Sequence, residues 1–508
     1  MDELTETKRI VKGQATMKDA KKEVSANLAR RDMLKLSGLT LGGLAAGHTT
    51  SGKARADETY DPTQCYTYFN QLEEFTPGTP LEPDEMRITF LGSTIPPTAR
   101  RVQQMMSIFV EVGNAKGKSD SFVFDCGAGV VANYGAMGIP FSKMDKIFIT
   151  HLHGDHMSDL THIYCFGPST DRKSPLYVFS HSNSTVASPS GVPATYDDGV
   201  VAYCGNLRKA MRWHTESFSF LSTGYQSYER PTKESWGLPV DPVPVGDDDA
   251  SDGYALIPIE LDWTKRGDVE GDNVAYNNPE TGVKITHFPV IHCRKGSIGF
   301  KLEWNGLSMI YTGDTKPETN FMNQAINGGN GVDVAVHEMI VPAEVWAMKT
   351  LGLSERGSGP VWEAALRTAT SVQNSSHTPQ GAFGYLLSRI SPRPRLAVAT
   401  HFPVADDTVA SALASVQAHC PDIQQGKDIT WSFDRMVIRV TASEIRQLRA
   451  SVSDFTYCPA PSSTHTDINT PKYCTAEGAS DPYAQLDRTT EILSTEEGGE
   501  DTYRQDGY

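Results

Sequence analysis

The chain has 508 residues, 39% of them apolar and 21% charged, which suits one large domain or two to three average ones and excludes a peptide hormone or a small disulfide-stapled module. Its 19 Phe, 19 Tyr and 7 Trp carry more aromatic surface than a solvated coil would, so wholesale disorder is excluded. With 46 Lys and Arg against 62 Asp and Glu the net charge is −16, the wrong sign for a general phosphate-backbone binder, and no run reaches the roughly 20 apolar residues needed to cross a bilayer.

Residues 1–29 are polar and rich in lysine. They lead into ARRDMLKLSGLTLGGLAAG, with Arg30 and Arg31 paired ahead of a short Leu/Gly/Ala stretch and Ala54-Arg55-Ala56 closing it. Basic start, short apolar middle and A-x-A end are the order of a signal peptide, and the paired arginines resemble the twin-arginine version. The expectation is export by the twin-arginine machinery, removal of residues 1–56 on export, and a periplasmic or otherwise exported product. That segment holds eleven Lys/Arg and six Asp/Glu, so the remainder carries −21. All eight cysteines lie beyond it and none forms a CxxC pair, so a zinc ribbon is not indicated. An even count permits bridges in an oxidising compartment, and Cys458 with Cys474 is the most local candidate.

Residues 57–85 read as a Pro- and Glu-rich lead-in. From Met86 the pattern becomes short β runs: MRITFLG, MSIFVEVG and SFVFDCGAG. A helical GVVANYGAMGI follows, then the apolar strand KIFIT. Residues from about 180 to 280 are the least regular part, containing a helix over NLRKAMRWH and the acidic run VGDDDASDGY. GFKLEW and LSMIYTGD are joined by Asn305-Gly306, a strong hairpin signal. VDVAVHE, helices around 360–370 and 380–390, the strand RLAVAT, a helix from about Asp407, and ITWSFD paired with MVIRVT complete the domain. Residues 451–508 read as an acidic tail. Hairpins followed by alternating strands and helices predict a layered α/β domain over 86–450.

Directly after KIFIT stands His151-Leu152-His153-Gly154-Asp155-His156. Three imidazoles and a carboxylate within six residues would need many burial partners in a core, and no apolar periodicity explains them. At a strand end they can converge on metal. His151 and His153 project to one side of an extended chain, while Asp155 and His156 lie beyond the turn, which suits two neighbouring ions.

THLHGDH after an apolar strand resembles the HxHxDH signature of the metallo-β-lactamase superfamily. FDCGAG precedes it, and His292 in FPVIHC, Asp314 in YTGDT and His401 in ATHF follow in family order, so the resemblance runs from about Met86 to about Thr441. It implies an αββα sandwich with His151, His153 and His292 on one metal, Asp155, His156 and His401 on the other, and Asp314 bridging. The later segments GSIGFKLEWNGLSMIYTGDTKP, VDVAVHEM and SSHTPQGAFGYLL resemble the ribonuclease Z branch and its arylsulfatase-like relatives, with the HTPQG spelling closer to the latter. That resemblance implies that Glu338 and His377 assist the leaving group, so Asp155, Glu338 and His377 are the expected catalytic residues. Two divalent ions roughly 3.5–4 Å apart supply a bridging hydroxide near neutral pH. Zinc suits imidazole-plus-carboxylate ligands best, with manganese or iron able to occupy the same set.

Other features carry less. His162 reads as a structural histidine or a partner behind a ligand, and His287 as a rival to His292. Cys126 and Cys293 read as small buried residues, and the 247–253 acidic run as a solvated loop without the EF-hand pattern. Arg208, Lys209 and Arg212 read as a solvated helix face, with steering of an anionic substrate as the alternative. The expected function is hydrolysis of a small phosphate or sulfate ester, with no nucleic-acid partner and no stable membrane insertion; a homodimer is left open. Lactone or carboxylic ester hydrolysis is the alternative within hydrolases. A mono-iron oxidoreductase resembling persulfide dioxygenases and a non-catalytic binding protein are the alternatives from other classes.

Overall fold

The computed structural model describes residue 69 and residues 71–95, 102–113, 117–218, 231–246, 252–341, 343–404 and 409–451. The expected signal peptide, residues 247–251 of the acidic run, the Cys458–Cys474 pairing and tail residues 452–508 lie outside them.

Among the described residues, strands fall into two sheets. The first holds β1 (Glu73–Glu74), β2 (Glu85–Gly92), β3 (Ser107–Gly113), β4 (Ser119–Phe124), β5 (Lys146–Phe148), β6 (Leu176–His181), β7 (Leu256–Leu261), β15 (Met436–Val440) and β16 (Ile445–Arg449). The second holds β8 (Val274–Asn278), β9 (Val283–Pro289), β10 (Ile298–Trp304), β11 (Leu307–Tyr311), β12 (Val334–Glu338), β13 (Leu396–Thr400) and β14 (Ile429–Trp431). Spatial order is β1-β16-β15-β2-β3-β4-β5-β6-β7 in the first and β14-β13-β12-β11-β10-β9-β8 in the second.

Period-two alternation explains the layering. Ile108, Val110, Phe122, Phe124 and Phe179 of the first sheet share one core with Ile285, Phe300, Leu302, Val334 and Val398 of the second. Phe109, Val123, Ile147 and Val178 point the other way, onto Val130 and Tyr134 of the helix Val130–Ala136, Ile163 of Leu160–Thr170 and Cys204 of Val200–Ala210. On the outer face of the second sheet, His337 of β12 packs between Phe321 of the helix Thr319–Ile326 and Phe383 of Gln380–Arg389. The result is an αββα sandwich, the metallo-β-lactamase fold.

The chain divides into two units, and everything above belongs to the larger, residues 65–343 and 367–508. The smaller comprises residues 1–64 and 344–366. Its described part covers most of the helix Ala343–Leu351 and the start of Gly359–Ser376. Gly352, at φ +66, ends the first of these, and Leu353 N–H returns to Met348 C=O at 2.9 Å, a Schellman closure.

Asn305 and Gly306 take φ of 49 and 77 between the paired Trp304 and Leu307, as the expected hairpin requires. Three features differ from expectation. ITWSFD and MVIRVT do not pair with each other: β14 joins β13, whereas β15 lies between β2 and β16. The chain crosses from one sheet to the other between them, with Ser432 N–H bonded to Ala399 C=O at 2.8 Å and Arg435 N–H to Phe90 C=O at 2.6 Å. The helix over NLRKAMRWH is broken at Met211 into Val200–Ala210 and Arg212–Phe218. Finally, the 180–280 stretch contributes β7 and β8, an edge strand for each sheet.

Candidate metal centre

Seven side chains meet where strands end. His151 and His153 follow β5, Asp155 and His156 sit in the short helix Gly154–Met157, His292 follows β9, Asp314 follows β11 and His401 follows β13. The loops beneath them are tied together through the backbone. Cys126 N–H bonds His156 C=O at 2.7 Å, Met106 N–H bonds Asp155 C=O at 3.1 Å, and Ile298 N–H reaches Thr150 C=O at 3.0 Å from the other sheet. Gly313, with φ +59, passes so close to Thr150 that a Cβ would lie 2.5 Å from its hydroxyl, so a side chain here would push Asp314 off the site. His401 takes φ +55, an uncommon conformation for a residue other than glycine and one that clusters at functional sites.

Among the described residues the seven donors form two clusters, each with its ligand-type atoms within 4.8 Å of one another: His151, His153 and His292, and Asp155, His156, Asp314 and His401; His377 groups as closely with His292 and Asp314, and with Glu338 and His401. In the first, His153 Nδ1 lies 2.9 Å from His151 Nε2 and 3.2 Å from His292 Nε2. One ring nitrogen carries at most one proton, so His153 Nδ1 cannot donate a full hydrogen bond to both neighbours, and a ring nitrogen is left for something other than a hydrogen bond. In the second, His156 Nε2 stands 3.2 Å from Asp155 Oδ2 and 3.3 Å from Asp314 Oδ1, and His401 Nε2 stands 3.2 Å from Asp155 Oδ2 and 3.5 Å from Asp314 Oδ2. Asp314 also reaches towards the first cluster, with His292 Nε2 at 3.8 Å. His156 Nε2 and Asp314 Oδ1 are buried without a hydrogen-bond partner. Such orphaned atoms are costly unless a cation sits among them. The residues present therefore fit two adjacent cations.

Electrostatics agree with that fit. Burial, reinforced by neighbouring imidazoles, holds His151 and His153 below the usual histidine range and takes His292 down to about 4, so all three offer lone pairs at neutral pH. Burial also works against a charged His156, but Asp314, Asp155 and Asp125 outweigh it and push that imidazole well up. Three carboxylates around one ring demand positive charge, which a proton or a metal ion can satisfy.

Outer partners orient the donors. His156 Nδ1 bonds Asp125 Oδ2 at 2.7 Å, and the same oxygen accepts the Tyr311 hydroxyl at 2.7 Å, while Thr150 N–H donates to Asp125 Oδ1 at 2.8 Å. His292 Nδ1–H donates to Ser376 C=O at 2.8 Å. Fixing the far nitrogen presents Nε2 to the centre in each case. Sequence reasoning quoted FDCGAG without giving Asp125 a role; an acidic residue closing a buried strand was the available signal.

Glu338, the last residue of β12, and His377 stand beside the second cluster. His377 Nδ1 lies 2.9 Å from Glu338 Oε2 and 4.0 Å from Asp314 Oδ2. Burial opposes a charged His377, yet the Glu338 carboxylate and its hydrogen bond push it up to about 9. The other Glu338 oxygen accepts the Thr315 N–H.

The remaining expectations sort plainly. His162 is exposed and lies between the rings of Phe141 and Phe166, away from the donors. His287 is buried in β9 with Nε2 on Asp262 C=O at 3.0 Å, and it is not part of either cluster. Cys126 is buried, but Cys293 is exposed, with Sγ 3.5 Å from His153 Nε2. Arg208, Lys209 and Arg212 do not line the cavity beside the histidines; Arg294 and Lys295, which sequence reasoning passed over, do.

The sandwich and its paired donor clusters define a protein of the metallo-β-lactamase fold with a site able to hold metal ions. Proteins similar to it in sequence include ribonucleases. It is 27% identical over 263 residues to ribonuclease BN from Proteus mirabilis, covering 50% of this chain and 76% of that protein, and 26% identical to ribonuclease Z from Natronomonas pharaonis, covering 50% and 74%. The family model for anti-Pycsar protein Apyc1 matches residues 86–186. Among solved structures, the metallo-β-lactamase fold protein YhfI from Bacillus subtilis overlaps 70% of this chain and 100% of its own at 12% identity, with a TM-score of 0.40.

Proposed function

We propose that this protein is a binuclear metal-dependent hydrolase of small phosphate or sulfate esters, with arylsulfatase-like or phosphodiesterase-like chemistry. The observation that carries the reading is Asp314, which lies between two donor clusters and 4.0 Å from an imidazole already paired with a carboxylate. When bound, two divalent ions would supply a hydroxide near neutral pH and neutralise charge on the attacked group. His151, His153 and His292 would hold one ion, Asp155, His156 and His401 the other, and Asp314 would touch both. His377, protonated at neutral pH, would give its proton to the departing oxygen, and Glu338 would hold the ring in place and stabilise its charge.

The relatives' names point to RNA. The net charge of −16 and a cavity of about 300 Å³ against the histidines support a small ester instead. The complete second cluster weighs against a mono-iron oxidoreductase. Purified, metal-analysed protein should be screened against aryl sulfates, phosphodiesters and lactones. Turnover of lactones alone, or one iron per chain with no esterase activity, overturns the reading. We also propose twin-arginine export. Converting Arg30 and Arg31 together to Lys should strand the protein in the cytoplasm, and unchanged export of that variant refutes the proposal.

A further inference from the structure

The cavity beside the first cluster is lined by His151, His153 and His292, and its wall also carries Asp197, Asp198, Tyr203, Arg294 and Lys295. His377 does not line it. That imidazole lies close by, its ring centroid 5.2 Å from that of His292.

The charges on that wall are not equivalent. Asp198 is already committed: its Oδ1 accepts Ser184 N–H at 2.8 Å, and its Oδ2 accepts the Ser184 hydroxyl at 2.6 Å and Arg294 Nε–H at 2.9 Å. Arg294 also lies over the Tyr196 ring, 4.9 Å from its centroid, so the guanidinium is held from two sides. Its Nε and Nη2 both go to Asp198, which leaves the Nη1 edge without a hydrogen bond among the described residues. Asp197 is exposed and lies three residues before the start of the helix Val200–Ala210. Lys295 is exposed on the cavity wall and has no carboxylate within ion-pair distance among the described residues. An uncompensated ammonium beside a fixed guanidinium edge suits an anion.

We propose that this cavity receives one organic arm of a phosphodiester, and that Lys295, with the free edge of Arg294, pairs with a second anionic group on that arm. The proposal rests on the hydrolase reading above. In that reaction water adds its oxygen to phosphorus, the bond to the leaving oxygen breaks, and His377 protonates the departing alkoxide. The products are a phosphomonoester and an alcohol.

The test separates recognition from turnover. Calorimetric titration of the zinc-loaded full chain compares alkylphosphonates of three to six carbons with phosphonoalkanoates of equal length, which add a terminal carboxylate. Wild type should bind the best carboxylate-bearing probe about five- to ten-fold more tightly than its plain counterpart. Lys295→Gln should abolish that preference, Lys295→Glu should reverse it, and both should leave the affinity for plain alkylphosphonates unchanged. Equal affinity for the two series in wild type, survival of the preference in Lys295→Gln, or binding of neither series overturns the assignment. Turnover of bis(4-nitrophenyl) phosphate is measured separately. Turnover without the preference removes the recognition site alone, whereas the preference without turnover of any ester removes the hydrolase reading.

Discussion

His377 Nδ1 stands 2.9 Å from Glu338 Oε2, while the other oxygen of Glu338 accepts the backbone N–H of Thr315, the residue after Asp314. One buried carboxylate thus ties the candidate proton donor to the loop that carries the candidate bridging ligand. If His377 protonates the leaving group, His377→Ala should keep its metal content. Its cost should be slight for a nitrophenol ester and on the order of 10²-fold or more for an alkyl ester. Measuring kcat/KM across leaving groups of graded pKa checks this, and parallel plots for wild type and variant would assign His377 a packing role instead.

The same pair predicts a pH signature. Glu338 raises the His377 pKa from 6.5 to about 9, so the donor is charged through neutrality and is lost as pH rises. Cations on the adjacent clusters repel that proton, which places the alkaline limb of kcat/KM for alkyl esters at or below about 9. Glu338→Gln removes the attraction and should move the limb to lower pH. Because the folded pKa lies above the ordinary value, the pair's contribution to stability is fully present below pH 6.5 and is lost as pH rises towards about 9.

Ligands drawn from separate strand ends should make cation binding part of folding. At a free metal concentration 100 times Kd, a single ion adds about 2.7 kcal/mol, so chelation should lower Tm measurably. Asp314→Ala should lose at least one ion and most activity, and chelation should shift its Tm less than that of wild type. Retention of two ions with near-normal turnover in the variant would remove Asp314 from the centre.

Asp125 holds His156 at 2.7 Å while accepting the Tyr311 hydroxyl and Thr150 N–H. Asp125→Asn keeps the shape but places an amide where a donor needs an acceptor. Metal affinity should fall by about 10- to 100-fold, measured by competition with a chromophoric chelator, with the fold intact by circular dichroism.

Asp434, far from the donors in sequence, takes hydrogen bonds from Gln104 N–H at 2.6 Å, Ser93 Oγ at 2.8 Å and Asn133 Nδ2 at 2.8 Å. Asp434→Ala should cost at least about 2 kcal/mol in urea unfolding, because buried donors lose their acceptor. Burial lifts this carboxyl from 3.8 to about 7 despite those donors. The contribution of the protonated form is fully present below pH 3.8 and lost as pH rises to about 7, a component of the pH dependence that the variant should lack.

Much of this molecule is legible in short windows. The strands β2 to β5 and β10 to β13 follow from apolar runs, and the β10–β11 hairpin from Asn305-Gly306, because a strand's period and a turn's φ values depend on residues in sequence contact. The alternation in ITWSFD and MVIRVT marks two strands, but a strand alternates in the same way in either sheet. Which sheet each joins depends on Ser432 meeting Ala399 and Arg435 meeting Phe90.

The candidate centre divides the same way. The sequence by itself determined the chemistry, because His151, His153, Asp155 and His156 crowd one turn and no core has use for so many donors there. Tertiary structure alone decided which distant groups serve them. It placed Asp125 behind His156, kept His287 in the sheet rather than at the centre, and set Arg294 and Lys295 on the cavity wall while Arg208 and Lys209 stayed off it. These choices depend on the register of two packed sheets and the paths of the loops at their ends, and such through-space distances leave no periodic trace in the chain.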